Sequence, residues 1–202
     1  MKTSNYIPAN RIKMRWYLIL LLFLAALSAH AQKRWSFTLR PAADIATHNL
    51  GTTELSMGFG IEGTFAYRFM PHLSAFTGWG WNRFSADQSF AGNKVDFEET
   101  GYTLGLLFIH PIANSGVQIL LGGGGIYKHI EVENNTGEVI ADSGHGLGWQ
   151  AEGGLSVGLG NKFSLMPSIR YQALSRELKL NASNTPVDLN YISLGLGLSW
   201  KF

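Results

Sequence analysis

The residues from 55 to 69 leave this chain little freedom. Leu55, Met57, Phe59, Ile61, Phe65, Tyr67 and Phe69 share one face of an extended strand, interrupted by Gly63. Ser56, Gly58, Gly60, Glu62, Thr64, Ala66 and Arg68 take the other face. Seven of eight positions on the first face are large and apolar and none on the second is, so the period is two and not helical. Such a strand separates an apolar surrounding from a polar one. One strand of this kind fits a soluble sandwich as well as a membrane wall, so repetition has to decide.

The alternation recurs at the C-terminus, where Ile192, Leu194, Leu196, Leu198, Trp200 and Phe202 oppose Tyr191, Ser193, Gly195, Gly197, Ser199 and Lys201. It can be traced in six further segments. In the first, Trp35, Phe37, Leu39 and Ile45 oppose Ser36, Thr38, Arg40 and Asp44. Segments 73–83, 100–109, 147–159 and 163–172 read similarly, and 117–130 leaves its facing open. The connections alternate in length: 70–72, 110–116 and 160–162 are short, whereas 46–54, 84–99, 131–145 and 174–188 are long and polar. Short turns at one end and long loops at the other predict an all-β fold, an eight-stranded antiparallel up-and-down transmembrane β-barrel, with the long loops outside. Pro41 and Pro167 break the pattern and are expected at bulges, and the run Gly122 to Gly125 implies a bulge or a close backbone approach.

Lys2, Arg11, Lys13 and Arg15 precede an uncharged apolar run over 16–27, and Ala29 and Ala31 fit a small-residue cleavage site. This predicts a secretory signal peptide over 1–31, cleaved before Gln32, and a barrel domain over 32–202. The leader takes four of the 16 basic residues and none of the 14 acids, so the mature chain carries a formal charge of −2. With the remaining cations unclustered, nucleic acid is not an expected partner. The absence of cysteine removes disulfides and thiol metal sites. No other apolar run reaches the roughly 20 residues of a spanning helix, which leaves a closed barrel as the spanning structure, since lipid cannot satisfy an open sheet edge.

With these strands and connections, residues 32–202 resemble the small outer-membrane barrel family typified by the OmpA membrane domain and OmpX. The strand over 191–202, ending in the aromatic Phe202, resembles the signal such proteins present to the barrel-assembly machinery. The resemblance implies a bacterial outer-membrane location, outer-membrane lipid as surrounding, no cofactor, and a non-enzymatic structural or surface-interaction role through four external loops meeting an unidentified ligand or surface. A narrow porin or transport component, a lipid-modifying enzyme and a periplasmic ligand carrier stand as alternatives.

The inward faces collect Arg40, Asp44, Glu62, Arg68, Glu152, Arg170 and Lys201, with Lys128 if 117–130 turns that face inward. An eight-stranded barrel is just wide enough for side chains to fill, so these charges are expected to pair in a plugged lumen. The outward aromatics Trp79, Trp81, Trp149, Tyr171, Trp200 and Phe202 read as membrane-interface anchors. Gly58, Gly60 and Gly63 match a dinucleotide-binding spacing, but inside a strand that spacing has no helix to open. His129, Glu131, Asp142, Ser143 and His145 flank the third long loop as a rim cluster, for which no catalytic or metal role is expected.

Overall fold

The computed structural model describes residues 34–113, 115–180 and 183–202; the expected leader, 1–31, lies outside them. The strands are β1 (Trp35–Ala46), β2 (Gly58–Arg68), β3 (Leu73–Ser89), β4 (Gly92–Pro111), β5 (Val117–Glu133), β6 (Val139–Asp142), β7 (Gly146–Leu159), β8 (Phe163–Leu180) and β9 (Ser183–Lys201). All pair antiparallel with their neighbours. The β4–β5 pairing closes β1 to β5 and β7 to β9 into an eight-stranded ring. The four-residue β6 lies outside the ring and pairs with the far end of β5.

Two of the segments expected as long loops are largely strand, and a third is partly so. β3 and β4 pair continuously from Leu73↔Phe108 to Ser89↔Gly92, so 84–99 forms a hairpin. β8 and β9 run as a ladder to Leu180↔Ser183, taking in 174–188. β5 extends to Glu133, and β6 occupies part of 131–145. The physical reason is that alternation continues while its chemistry inverts. Near the short turns, outward positions of β4 are Tyr102, Leu104, Leu106 and Phe108; beyond Glu99, the inward positions are Phe97 and Val95 and the outward ones Glu98 and Asp96. Polar residues facing out require water outside. A closed ring without lipid inside then needs apolar side chains to fill it, as in any soluble core.

That filling is a single cluster. Phe84, Phe97, Ile130, Val132, Leu174, Leu178, Val187 and Leu189 are all nearly or wholly buried within it. The connection from β1 to β2 contributes Leu50, which is fully buried, and straps β9 to β3: the Thr47 amide donates to Asn190 O and the Ser56 amide to Ser85 O.

The strand-five facing resolves with Leu120, Ile126, Lys128, Ile130 and Val132 inward. The bulges expected at the prolines do not form. Register is unchanged across Pro41, between Leu39↔Leu198 and Ala42↔Gly195, and across Pro167, between Gly154↔Ser168 and Val157↔Leu165. Each proline interrupts one ladder and keeps its pairing on the other side, to Ile61 and Leu196 respectively. The wall tolerates a missing donor because the neighbouring rungs hold the register.

Gly122 to Gly125 is likewise in register, and its role is close approach. A Cβ on Gly124 would lie 2.2 Å from the Leu104 carbonyl oxygen, and one on Gly105, its partner in the ladder, 2.3 Å from that of Gly123. Backbone cannot yield as a flexible side chain does. Gly124→Ala is expected to cost about 1–3 kcal/mol through this overpacking, read as an earlier transition in urea unfolding from detergent micelles.

Candidate functional site

The lumen is built in layers along the barrel axis. At the short-turn end a vestibule of about 280 Å³ is lined by Arg34, Arg68, Lys201 and the hydroxyls of Ser156, Ser164 and Ser199. Above it the free space falls to about 40 Å³ beside Arg40, Glu62, Glu152 and Arg170, and then to about 10 Å³ beside Lys128, Gln172 and Tyr191. The last value is about the room one water needs.

The middle layer is a chain of alternating charges. Arg170 Nη2 lies 2.8 Å from Glu62 Oε1 and 3.2 Å from Glu152 Oε2, and Arg40 Nε lies 3.4 Å from Glu152 Oε1. Arg40 also donates to Ser168 Oγ, Ser193 Oγ and Ser193 O, each at 3.1 Å. Inward positions on β1, β2, β7 and β8 supply the four ions.

One layer higher, Glu99 is wholly buried and receives four donors. Lys128 Nζ approaches Glu99 Oε2 at 3.1 Å, Asn82 Nδ2 donates to it at 2.9 Å and the Tyr191 hydroxyl at 2.6 Å, while Gln172 Nε2 donates to both oxygens at 2.8 Å. Gln172 and Tyr191 also hydrogen-bond each other. Above this layer sits the apolar cluster, reached through the Phe84 ring, edge-on to Tyr191 at 5.2 Å.

The structure brings together Arg40, Glu62, Glu152 and Arg170 in one layer and sets Lys128 in the next. Three residues of the expected network stand elsewhere. Arg68 is exposed at the short-turn mouth, and Lys201 also lines that mouth, because both lie near strand ends past the packed section. Asp44 is fully buried beside Ser193, where Arg40 attracts it through space. Glu99, the hub of the upper layer, was missed because 84–99 read as loop. The continuing alternation of Phe97, Glu99 and Gly101 was the available signal.

The aromatics all face outward. Trp79, Trp149, Trp200 and Phe202 are exposed, and Tyr171 packs 5.3 Å from Trp149. Trp81 is half-buried and donates its Nε1 to Glu98 Oε2 at 2.7 Å, tying an apolar ring to the polar extension above it. Gly58 and Gly60 lie within β2 and face inward, without a helix to open.

On the outer surface of the extension, Arg83 Nη1 pairs with Glu98 at 3.2 Å, and Arg83 also pairs with Asp96. Burial pushes the Asp96 carboxyl up, but hydrogen bonds from Arg83 and Ser85 outweigh it and hold Asp96 below the usual carboxylate range. The stability this pairing contributes is therefore present above about pH 4 and is lost as pH falls through the lowered native value. Proteolysis of the β3–β4 hairpin is expected to accelerate in acid, and Asp96→Asn to flatten that dependence. At neutral pH the variant's own cost is within about 1 kcal/mol, as for other solvent-facing pairs.

The rim cluster does assemble. His129 Nδ1 lies 3.1 Å from Asp142 Oδ1 and 3.7 Å from Glu131 Oε1, and the His145 ring stacks on His129 at 4.3 Å. Ser143 turns away from it: its buried Oγ accepts the Ile130 amide at 2.8 Å and donates to Gly144 O. A serine so placed has no imidazole base to activate it.

An apolar outer belt, a lumen closed by paired charges and an apolar cap in a water-facing extension define a small transmembrane β-barrel. The chain matches the outer membrane protein beta-barrel domain family over residues 19–202 and belongs to that family of bacterial outer-membrane barrels. Its fold is similar to that of Neisserial surface protein A, with a TM-score of 0.63 at 17% identity, covering 83% of this chain and 97% of that one. It is also similar to OprG from Pseudomonas aeruginosa, with a TM-score of 0.54 at 16% identity over 83% and 95% of the two chains. Outer membrane protein W of E. coli gives 0.54 at 14% identity over 85% and 100%. No curated protein sequence matches the chain significantly.

Proposed function

We propose that this protein is a non-enzymatic surface barrel. In this reading the membrane wall is an anchor and the water-facing hairpins meet an external ligand or surface. The observation that carries the reading is the filled lumen. Two layers of buried, mutually bonded side chains and an apolar cap stand across it, and free space narrows from about 280 to about 10 Å³ towards them. Such an interior supports the wall and leaves the extensions to do the meeting. A secretory leader over 1–31, removed on export, and delivery to the assembly machinery by the strand ending in Phe202 belong to the same proposal.

The transport alternative makes an opposite demand on the lumen, so conductance separates the two. Planar bilayers holding the refolded barrel are expected to stay at baseline. Bacteria carrying it are expected to lose surface adhesion when residues 85–97 and 175–188 are replaced by short turns. Reproducible unitary currents, or adhesion unchanged by that trimming, would remove the basis of the proposal.

A further inference from the structure

Among the described residues, one set of side chains converges as metal ligands do, on the outer surface of the β5–β6 extension. His129 and Glu131 are alternate residues of β5 and so share its outward face, and Asp142 is the ladder partner of Glu131 on β6. Their ligand atoms all lie within 4.8 Å of one another. The His129 Nδ1 separations of 3.1 Å to Asp142 and 3.7 Å to Glu131 bracket the roughly 3.3 Å that tetrahedral ligands at about 2.0–2.1 Å from zinc keep between themselves.

The set is also held in place. The Gly144 amide donates to Asp142 Oδ1 at 2.8 Å, with Gly144 in the left-handed region at φ 63°. The His145 ring lies nearly parallel on His129, at 15°, and packs 5.1 Å from Tyr127, which fixes the imidazole that must point at an ion. Of the nearby cations, Arg83 is committed to Asp96, Glu98 and Glu133, and Arg176 donates to the Ser143 and Gly144 carbonyls.

We propose that His129, Glu131 and Asp142 form a surface site for a divalent transition-metal cation of the zinc class. A nitrogen and two carboxylate oxygens suit such an ion, and a fourth position stays open towards water. Because the imidazole must be neutral to ligate, occupancy falls in acid. The site rests on the extension and not on the lumen, so it stands or falls separately from the anchor reading above.

The test uses the full chain, refolded in detergent micelles, stripped with chelator and titrated with Zn²⁺ by calorimetry near neutral pH. A single saturable equivalent is expected, weakened about tenfold or more, or about 1.4 kcal/mol, by His129→Ala and by Asp142→Asn, and unmoved by His72→Ala. Heat-modifiable gel migration reports whether each variant folds, and Asp142→Asn changes an exposed group with little consequence for the wall. X-ray absorption of the loaded protein is expected to show nitrogen and oxygen neighbours at about 2.0–2.1 Å. No saturable binding up to about 1 mM, or binding that survives both ligand variants, would overturn the proposal.

Discussion

Replacing Glu99 with alanine is expected to destabilise the barrel by about 3–5 kcal/mol, measured by urea unfolding from detergent micelles. Glu99 is 0% exposed and its side chain faces Lys128, itself 1% exposed. Removing the carboxylate strands a buried ammonium and at the same time removes the acceptor for Asn82, Gln172 and the Tyr191 hydroxyl. The burden falls on the groups left behind, which have no water to turn to. Much of the loss should return in the double variant Glu99→Gln with Lys128→Met, which removes both charges and keeps similar volumes. A Glu99→Ala barrel that unfolds with the native protein would show the hub to be expendable, and the layered description of the lumen would fail with it.

Phe97→Ala is expected to cost about 3–5 kcal/mol as well, but in a different place. The Phe97 ring is fully buried in the apolar cap, 5.9 Å from Phe90, above the charged layers. Its loss leaves a cavity among Phe84, Val95 and Ile130 that the closed ring cannot collapse to fill. The damage should therefore appear as local opening of the β3–β4 hairpin. Limited proteolysis is expected to cut between 84 and 97 much faster than in the native protein, while heat-modifiable migration of the membrane wall persists. Cooperative loss of both signals together would mean that the extension and the wall are one folding unit.

The two variants separate features that were unequally legible in the sequence. The strand over 58–68 could be read outright from its period of two, whereas Leu55, which the same alternation places on its outward face, lies before it and packs against the apolar cluster. The hairpins over 84–99 and 174–188 could not be read so, because their Asn, Asp, Ser and Gly content reads as polar loop. Phe84, Val95, Phe97, Leu174 and Val187 alternate as regularly as their membrane counterparts, on the opposite face. Pro41 and Pro167 misled in another way. A missing donor argues for a bulge locally, and only the neighbouring rungs reveal that the register holds.

The sequence by itself determined that this chain alternates, how many times it crosses and which residues share a face, since those follow from the geometry of an extended backbone. It could not determine what covers each face, because the pattern is the same whether lipid or water lies outside. Only the tertiary structure decided where that surrounding changes. It also decided which inward charges meet, since Glu99 finds Lys128, Gln172 and Tyr191 at separations of 29, 73 and 92 residues. Side chains at such distances become neighbours through ring closure and register, and no local preference encodes them.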